Sequence, residues 1–240
     1  MTRKFLHTLC CPFCRKNLVL AKSYLERDKK IVEAEVFCGC DIYPIVDGVL
    51  FLTKNDIKDK AFLFLQKNSP SNFKEVPIFL FRLPLGDFLT VMAVSFIARL
   101  NIFKKLPFKK FMKFFISLGI YEKKWSNYLL NRFSRRSFRP AVLSSSLVKK
   151  NSEVLDLGSG AGHLLYILRK RTKEENLTAV EMSLPGIYLA KKYFCPEANY
   201  IYADLEYRLP FKGKSFNYVF VNDAFHYISN KYLLGKEITR

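Results

Sequence analysis

Along the 240 residues the spacing of apolar and polar positions changes twice, and the changes divide the chain. In residues 1–54 the apolar runs are short, with VEAEVF at 32–37 and VLFL at 49–52, the lengths and alternation of strands. Asp47-Gly48, between YPIV and VLFL, predicts a hairpin turn. Residues 55–150 are aromatic and poor in turn residues, and they predict several helices, broken near Pro77, Pro84, Pro107 and Pro140. From 151 onward strand and helix patterns alternate. EVLDL (153–157), LTAVE (177–181), NYIYAD (199–204) and FNYVFV (216–221) predict strands. AGHLLYILRK (161–170) and LPGIYLAKKYF (184–194) predict helices, and DAFHYISNKYLL (223–234) the start of a third. Strands that alternate with helices imply a parallel sheet with right-handed crossovers, so the expected class is α/β.

Charge sharpens the division. The formal net charge is +19, and residues 61–150 carry 17 Lys and Arg against 3 Asp and Glu. Such a segment attracts phosphates, on RNA or on a membrane surface, or it is a solvated face of a lysine-rich protein. FLTVMAVSFIA (88–98) is the most apolar stretch, bounded by Arg82, Asp87 and Arg99, and is too short to span a bilayer. IFKKLPFKKFMKFF (102–115) pairs aromatics with lysines, a pattern that suits a membrane surface or, more ordinarily, a helix covering a core. The N-terminus MTRKFLHTLCC lacks an apolar leader core, so the expected location is cytoplasmic, peripheral to a membrane if the basic segment touches one.

The densest chemistry is VLDLGSGAGH, residues 154–163. A strand runs into Asp156-Leu157-Gly158-Ser159-Gly160-Ala161-Gly162 and a helix follows. Glycines there let the chain turn sharply and let a ligand approach the backbone. Glu181 ends the second strand, 19 residues after Gly162, where a carboxylate can accept both hydroxyls of a ribose. Asp204 ends the third, placed to accept from an adenine amino group. Strand ends of this kind lie side by side on the carboxyl edge of a parallel sheet, where ligands bind.

With these features in order, the stretch from about 150 to 235 resembles the class I S-adenosylmethionine (SAM) dependent methyltransferases, of the type 11-like kind. The resemblance implies a Rossmann-like sheet. It implies that Asp156 faces the methionine amino group and that Gly158, Ser159, Gly160 and Gly162 line the methionine and ribose. Glu181 and Met182 then serve the ribose, Asp204 and Leu205 the adenine, and Asn222 lies near the sulfonium. Leu209-Pro210-Phe211 and SFNYVFVNDAFHYI fit the same pattern, except that Asn217 stands where Asp is commoner. The glycine spacing G-x-G-x-G departs from the G-x-G-x-x-G of dinucleotide folds. Asp223 and His226 are candidate bases by position, although Asp223 equally suits a helix N-cap and His226 a packing role.

Six cysteines complete the inventory. Cys11-Pro-Phe-Cys14 and Cys38-Gly-Cys40, separated by 23 residues, form two knuckles whose thiolates can surround Zn²⁺. Cys10 is a substitute ligand, and Cys195 reads as structural. CPFCRKNLVL and FCGCDIYPIVDGVLFL together resemble the zinc-ribbon or Trm112-like modules that precede some bacterial methyltransferases. The expected organisation is therefore a zinc-ribbon-like module (1–54), a helical basic segment (55–150) and a SAM-binding domain (151–240). The resemblance also implies that about the last third of a seven-stranded sheet is not in this sequence. A partner strand completing the sheet, a truncated enzyme and a non-catalytic scaffold are the alternatives to a competent methyltransferase. The methyl acceptor is open among RNA, lipid and small metabolite.

Overall fold

A computed structural model of the chain describes residues 1–67, 107–117, 123–132 and 135–240. The short helix α1 (Arg3–Leu6) leads to four antiparallel strands: β1 (Val19–Arg27), β2 (Lys30–Phe37), β3 (Ile42–Val46) and β4 (Val49–Leu52). Helices α2 (Asp56–Lys67), α3 (Phe108–Ser117), α4 (Lys123–Arg132) and α5 (Arg135–Ser145) follow. The remainder alternates: β5 (Val154–Leu157), α6 (His163–Leu168), β6 (Leu177–Glu181), α7 (Leu184–Leu189), β7 (Asn199–Ala203), β8 (Tyr218–Phe220) and α8 (Lys231–Thr239).

All eight strands form one sheet, in the order β1-β2-β3-β4-β7-β6-β5-β8. Its right half, β4-β7-β6-β5-β8, is parallel, as the βαβ pattern requires. The join is β4 against β7, with Val49 opposite Tyr200 and Leu52 opposite Ala203. Side-chain alternation runs unbroken across that join. Leu50, Leu52, Ile201 and Ala203 pack on one face with Leu155, Leu157 and Val180, while Val49, Phe51, Tyr200 and Tyr202 pack on the other with Val154 and Ala179. The first face is covered by α1 and α8, through Phe5, Leu6 and Leu234. The second is covered by Ile57 and Ala61 of α2, Ala141 of α5, Leu164 and Leu165 of α6, and Ile187 of α7. Val49, Leu50 and Phe51 have no exposed surface, and each such burial contributes about 1.5–3 kcal/mol. The cysteine-bearing hairpins are thus held to the parallel sheet by a core strand and not by a linker.

A second seam runs along the first face. Cys10 N–H donates to Pro210 O at 3.0 Å and Lys212 N–H to Thr8 O at 2.9 Å. The Arg15 guanidinium donates to Leu209 O at 2.8 Å and Phe211 O at 3.2 Å. Phe13 meets Tyr207 edge to face, 5.5 Å between centroids.

Several expectations change. Asp47 and Gly48 both adopt positive φ, 48° and 71°, as a two-residue hairpin turn of primed type demands. Pro107 precedes α3, but Pro140 lies inside α5 and does not break it. Pro140 is solvent-exposed, so the carbonyl deprived of its amide partner can be served by water. Pro77, Pro84 and the apolar stretch 88–98 lie outside the described residues. In α3 Phe108 packs against Tyr193 and Phe194, and Met112 is fully buried, while Lys109, Lys110 and Lys113 are exposed. That is the core-covering reading of 102–115 for its described part. The segment after β8 makes a single 3₁₀ turn at Phe225–Tyr227, and the helix starts only at Lys231. Its N-cap is Asn230, whose side chain accepts from Leu233 N–H; Asp223 is no cap. Among the described residues no helix is long and apolar enough to cross a membrane, and β8 pairs on one side only, with β5.

Candidate functional site

The carboxyl ends of β7, β6, β5 and β8 stand in a row. The loop leaving β5 carries three left-handed glycines, Gly158 (φ 70°), Gly160 (53°) and Gly162 (79°). A Cβ on Gly158 would lie 2.3 Å from Ala224 Cβ, and one on Gly162 2.7 Å from Ala190 Cβ, so both positions also need the missing side chain for space. At Gly160 a Cβ would meet nothing within 4 Å, and conformation alone favours glycine. Gly186 of α7 approaches the loop so closely that its Cβ would be 2.8 Å from Gly160 O.

Glu181 fastens this loop. Its Oε2 accepts from Gly160 N–H at 2.6 Å, and its Oε1 from Met182 and Ser183 N–H at 2.7 Å each. A carboxylate offers about four lone-pair sites, so a ribose diol on Glu181 must share or displace one of these amides. Met182 itself points outward, 43% exposed. Asp204 Oδ1 accepts from Glu206 N–H at 2.9 Å, which turns the chain just beyond β7. Leu205 packs against the first core and lies near Gly158.

Asp156 is the unusual member. It is fully enclosed, and its Oδ2 has no hydrogen-bond partner. Desolvation, reinforced by the neighbouring charge of Glu181, pushes its carboxyl up to about 8. Ser159 Oγ, in the loop that follows β5, is likewise buried without a partner. Orphaned buried acceptors are costly, and they mark places where a ligand completes the hydrogen bonding.

A cavity of about 110 Å³ opens beside the loop, lined by Gly158, Gly160, Ser183, Asn222, Asp223 and, from α4, Arg132 among others. Arg132 ion-pairs through Nη1 with Asp223 Oδ2, and its Nη2 stands 2.7 Å from His163 Nε2. Asn222 Nδ2 is 3.1 Å from the same nitrogen. Two donors converge on Nε2, which assigns the ring proton to Nδ1. Burial, with the adjacent Arg132 charge, brings His163 down to about 4, so the ring is neutral near pH 7. His226 faces solvent, lies tilted against Tyr227 with ring centroids 3.9 Å apart, and does not line the cavity. A larger cavity, about 280 Å³, lies on the first face between Phe211, Phe216 and Ile238, away from the glycines.

The structure thus gathers Asp156, Gly158, Ser159, Gly160, Gly162, Glu181, Met182, Asp204, Leu205, Asn222 and Asp223 along one edge. Sequence reasoning missed Arg132 and His163. His163 directly follows the third glycine and was open to notice; Arg132 comes from a helix with no local signal.

Some distance along the same sheet, Cys11, Cys14, Cys38 and Cys40 bring their sulfurs within 4.8 Å of one another. Tetrahedral zinc with Zn–S bonds near 2.3 Å places sulfurs about 3.8 Å apart. Cys11 and Cys40 stand at 3.8 Å, and Cys38 and Cys40 at 3.1 Å. The shortened second knuckle therefore does not prevent convergence. Desolvation raises the Cys11 thiol, but hydrogen bonds from Tyr43 OH and from the Cys14 and Phe13 amides outweigh it and hold it at about 7. Cys40 is pushed up, first by the Cys38 thiol beside it. Thiols that oppose one another's ionisation are what a divalent cation relieves. Cys10 is not in the cluster: its Sγ lies against Phe211 O at 3.1 Å on the seam. Cys195 is buried, and desolvation raises its thiol, as a structural cysteine requires.

Comparison with known proteins bears on this geometry. Residues 154–240 match the family described as "Methyltransferase domain". No match is found among the curated proteins. Solved structures similar to this chain include the YcgJ protein from Bacillus subtilis, 23% identical over 45% of this chain and 46% of that one, with a TM-score of 0.38. Another is the plantazolicin methyltransferase BpumL in complex with SAH, 22% identical over 48% of this chain and 46% of that one, TM-score 0.36. The chain spans less than half the length of these two structures. The stretch that matches a methyltransferase domain, residues 154–240, is built into one sheet with a β-rich region that carries a four-cysteine cluster.

Proposed function

We propose that this chain binds SAM on the β5–β8 edge and transfers its methyl group to an acceptor. The observation that carries the reading is Asp156, a buried carboxylate with an unpartnered oxygen under a glycine loop, in line with Glu181 and Asp204 on the next two strand ends. When bound, SAM supplies an electrophilic methyl carbon on a sulfonium, open to in-line displacement. Asp156 meets the amino group; Gly158, Ser159, Gly160 and Gly162 let the backbone approach. Glu181, with Met182 beside it, receives the ribose. Asp204 accepts from adenine, and Leu205 supplies an apolar wall. Asn222, at the end of β8, faces the reacting centre, and the protein's main contribution there is alignment. Asp223 is the better placed of the two candidate bases, since it lines the cavity and His226 does not.

The four cysteines would hold one Zn²⁺, which would tie the Cys11–Cys14 loop to the turn between β2 and β3 in a zinc-ribbon-like module. Thiolate ligation of zinc needs reduced cysteines, which fits a reducing compartment such as the cytoplasm. RNA, lipid and small-metabolite acceptors separate by assay. The many cations of residues 61–150 would give RNA binding a steep salt dependence, and a lipid acceptor would give flotation with liposomes.

Calorimetric titration of SAM into wild type and Glu181→Ala tests the core of the reading. Micromolar binding in the wild type, lost in a variant that still melts cooperatively, is the expected result. A folded wild type that binds no SAM removes the reading and leaves a scaffold role.

A further inference from the structure

The cavity beside the glycine loop holds one charged group that the reading above leaves without a task. Arg132 ends α4 and spans the opening, tied to Asp223 on one side and to His163 on the other. Among the described residues lining that cavity it alone carries a full positive charge, because His163 is held neutral.

We propose that Arg132 is the carboxylate clamp of the site, and that it exchanges Asp223 for the ligand's carboxylate when the ligand binds. The inference rests on the SAM reading. The strand order orients such a ligand. Glu181 and Asp204 end β6 and β7, so the nucleoside lies towards that side, and its amino-acid tail points to β5 and β8. There the tail must place an ammonium and a carboxylate on one carbon. Asp156 suits the ammonium. Glu181 and Asp223 repel the carboxylate, and Arg132 is what can receive it, in a planar two-point contact.

The present partner is replaceable. The Asp223 side chain is 54% exposed, whereas that of Arg132 is 16% exposed. An ion pair with one end in water is weak, so the exchange costs little. His163, itself in contact with Asn222, remains on Nη2 of the guanidinium and keeps it aimed. Asp223, held meanwhile at a positive φ of 54°, is then released at the mouth of the site only when the cofactor is seated. The arrangement places cofactor binding before acceptor binding.

The test compares S-adenosylhomocysteine with methylthioadenosine, the same nucleoside thioether without the amino-acid carbons, by calorimetry on the full chain. Arg132→Met is expected to weaken S-adenosylhomocysteine roughly 10- to 100-fold and to leave methylthioadenosine unchanged. Asp223→Asn, which removes the competitor, is expected to tighten S-adenosylhomocysteine by up to about fivefold, again without effect on methylthioadenosine. Equal losses for both ligands, or none for either, overturn the clamp. Should Arg132→Met fail to fold, the exposed Asp223→Asn decides alone: unchanged or weaker S-adenosylhomocysteine binding overturns the exchange. A wild type that binds neither ligand overturns the SAM reading instead, so the two failures are distinct.

Discussion

If Asp156 receives the ligand's ammonium, binding must eject a proton. In the unliganded chain burial and the Glu181 charge hold the Asp156 carboxyl at about 8, against an ordinary value of 3.8. At pH 7 it is therefore about 90% protonated, and a protonated carboxyl is a poor partner for a cation. Pairing with an ammonium favours the ionised form, so close to 0.9 proton leaves per ligand bound, on the order of one, at pH 7. The bound state draws on the ionised fraction, which grows about ninefold between pH 6 and pH 7, and affinity should rise by the same factor. His163 does not confuse the result, since at about 4 it stays neutral across this window. The assay is titration of S-adenosylhomocysteine in two buffers of different ionisation enthalpy, whose apparent heats differ by the protons released. Asp156→Asn should weaken binding and flatten its pH dependence. Linkage gives a second reading on the unliganded protein. The folded value lies above the unfolded one, so this group's contribution is fully present below pH 3.8 and is lost as pH rises towards 8. Asp156→Asn removes that loss. Zero proton release with flat affinity from pH 6 to 7 would refute the assignment of Asp156 to the ammonium.

Two further outcomes follow from the geometry. Gly160→Ala should cost about 1–2 kcal/mol from its left-handed φ alone, whereas Gly158→Ala adds the contact with Ala224 and should cost about 2–5 kcal/mol; urea denaturation measures both, and equal costs would contradict the packing described. The wild-type chain should carry about one zinc per molecule by elemental analysis, lost in Cys11→Ser and retained in Cys10→Ala, because Cys10 sits on the Phe211 seam.

What was legible in the sequence was what is local. The turn at Asp47-Gly48 and the glycine loop need positive φ at given positions, and glycine spacing announces that. Glu181 and Asp204 end strands whose patterns bound them. The cysteine pairs announced convergence even though the spacing of the second is short. What stayed hidden depends on partners far away in the chain. β1 is largely exposed and has no clean alternation, and it exists because β2 pairs with it through several bulges. The place of β4 beside β7 rests on matching apolar runs 150 residues apart. Asp223 looked like a helix cap, but an ion pair from α4 holds it in a left-handed turn instead. Arg132 had no motif at all; only the path of α4 over the cavity gives it meaning.

The most direct measurement is a crystal structure of the chain with S-adenosylhomocysteine. The account predicts adenine against Asp204, the ribose diol on Glu181 and the ammonium at Asp156, all on the β5–β8 edge. A ligand seated elsewhere, such as the larger cavity between Phe211 and Ile238, would contradict it.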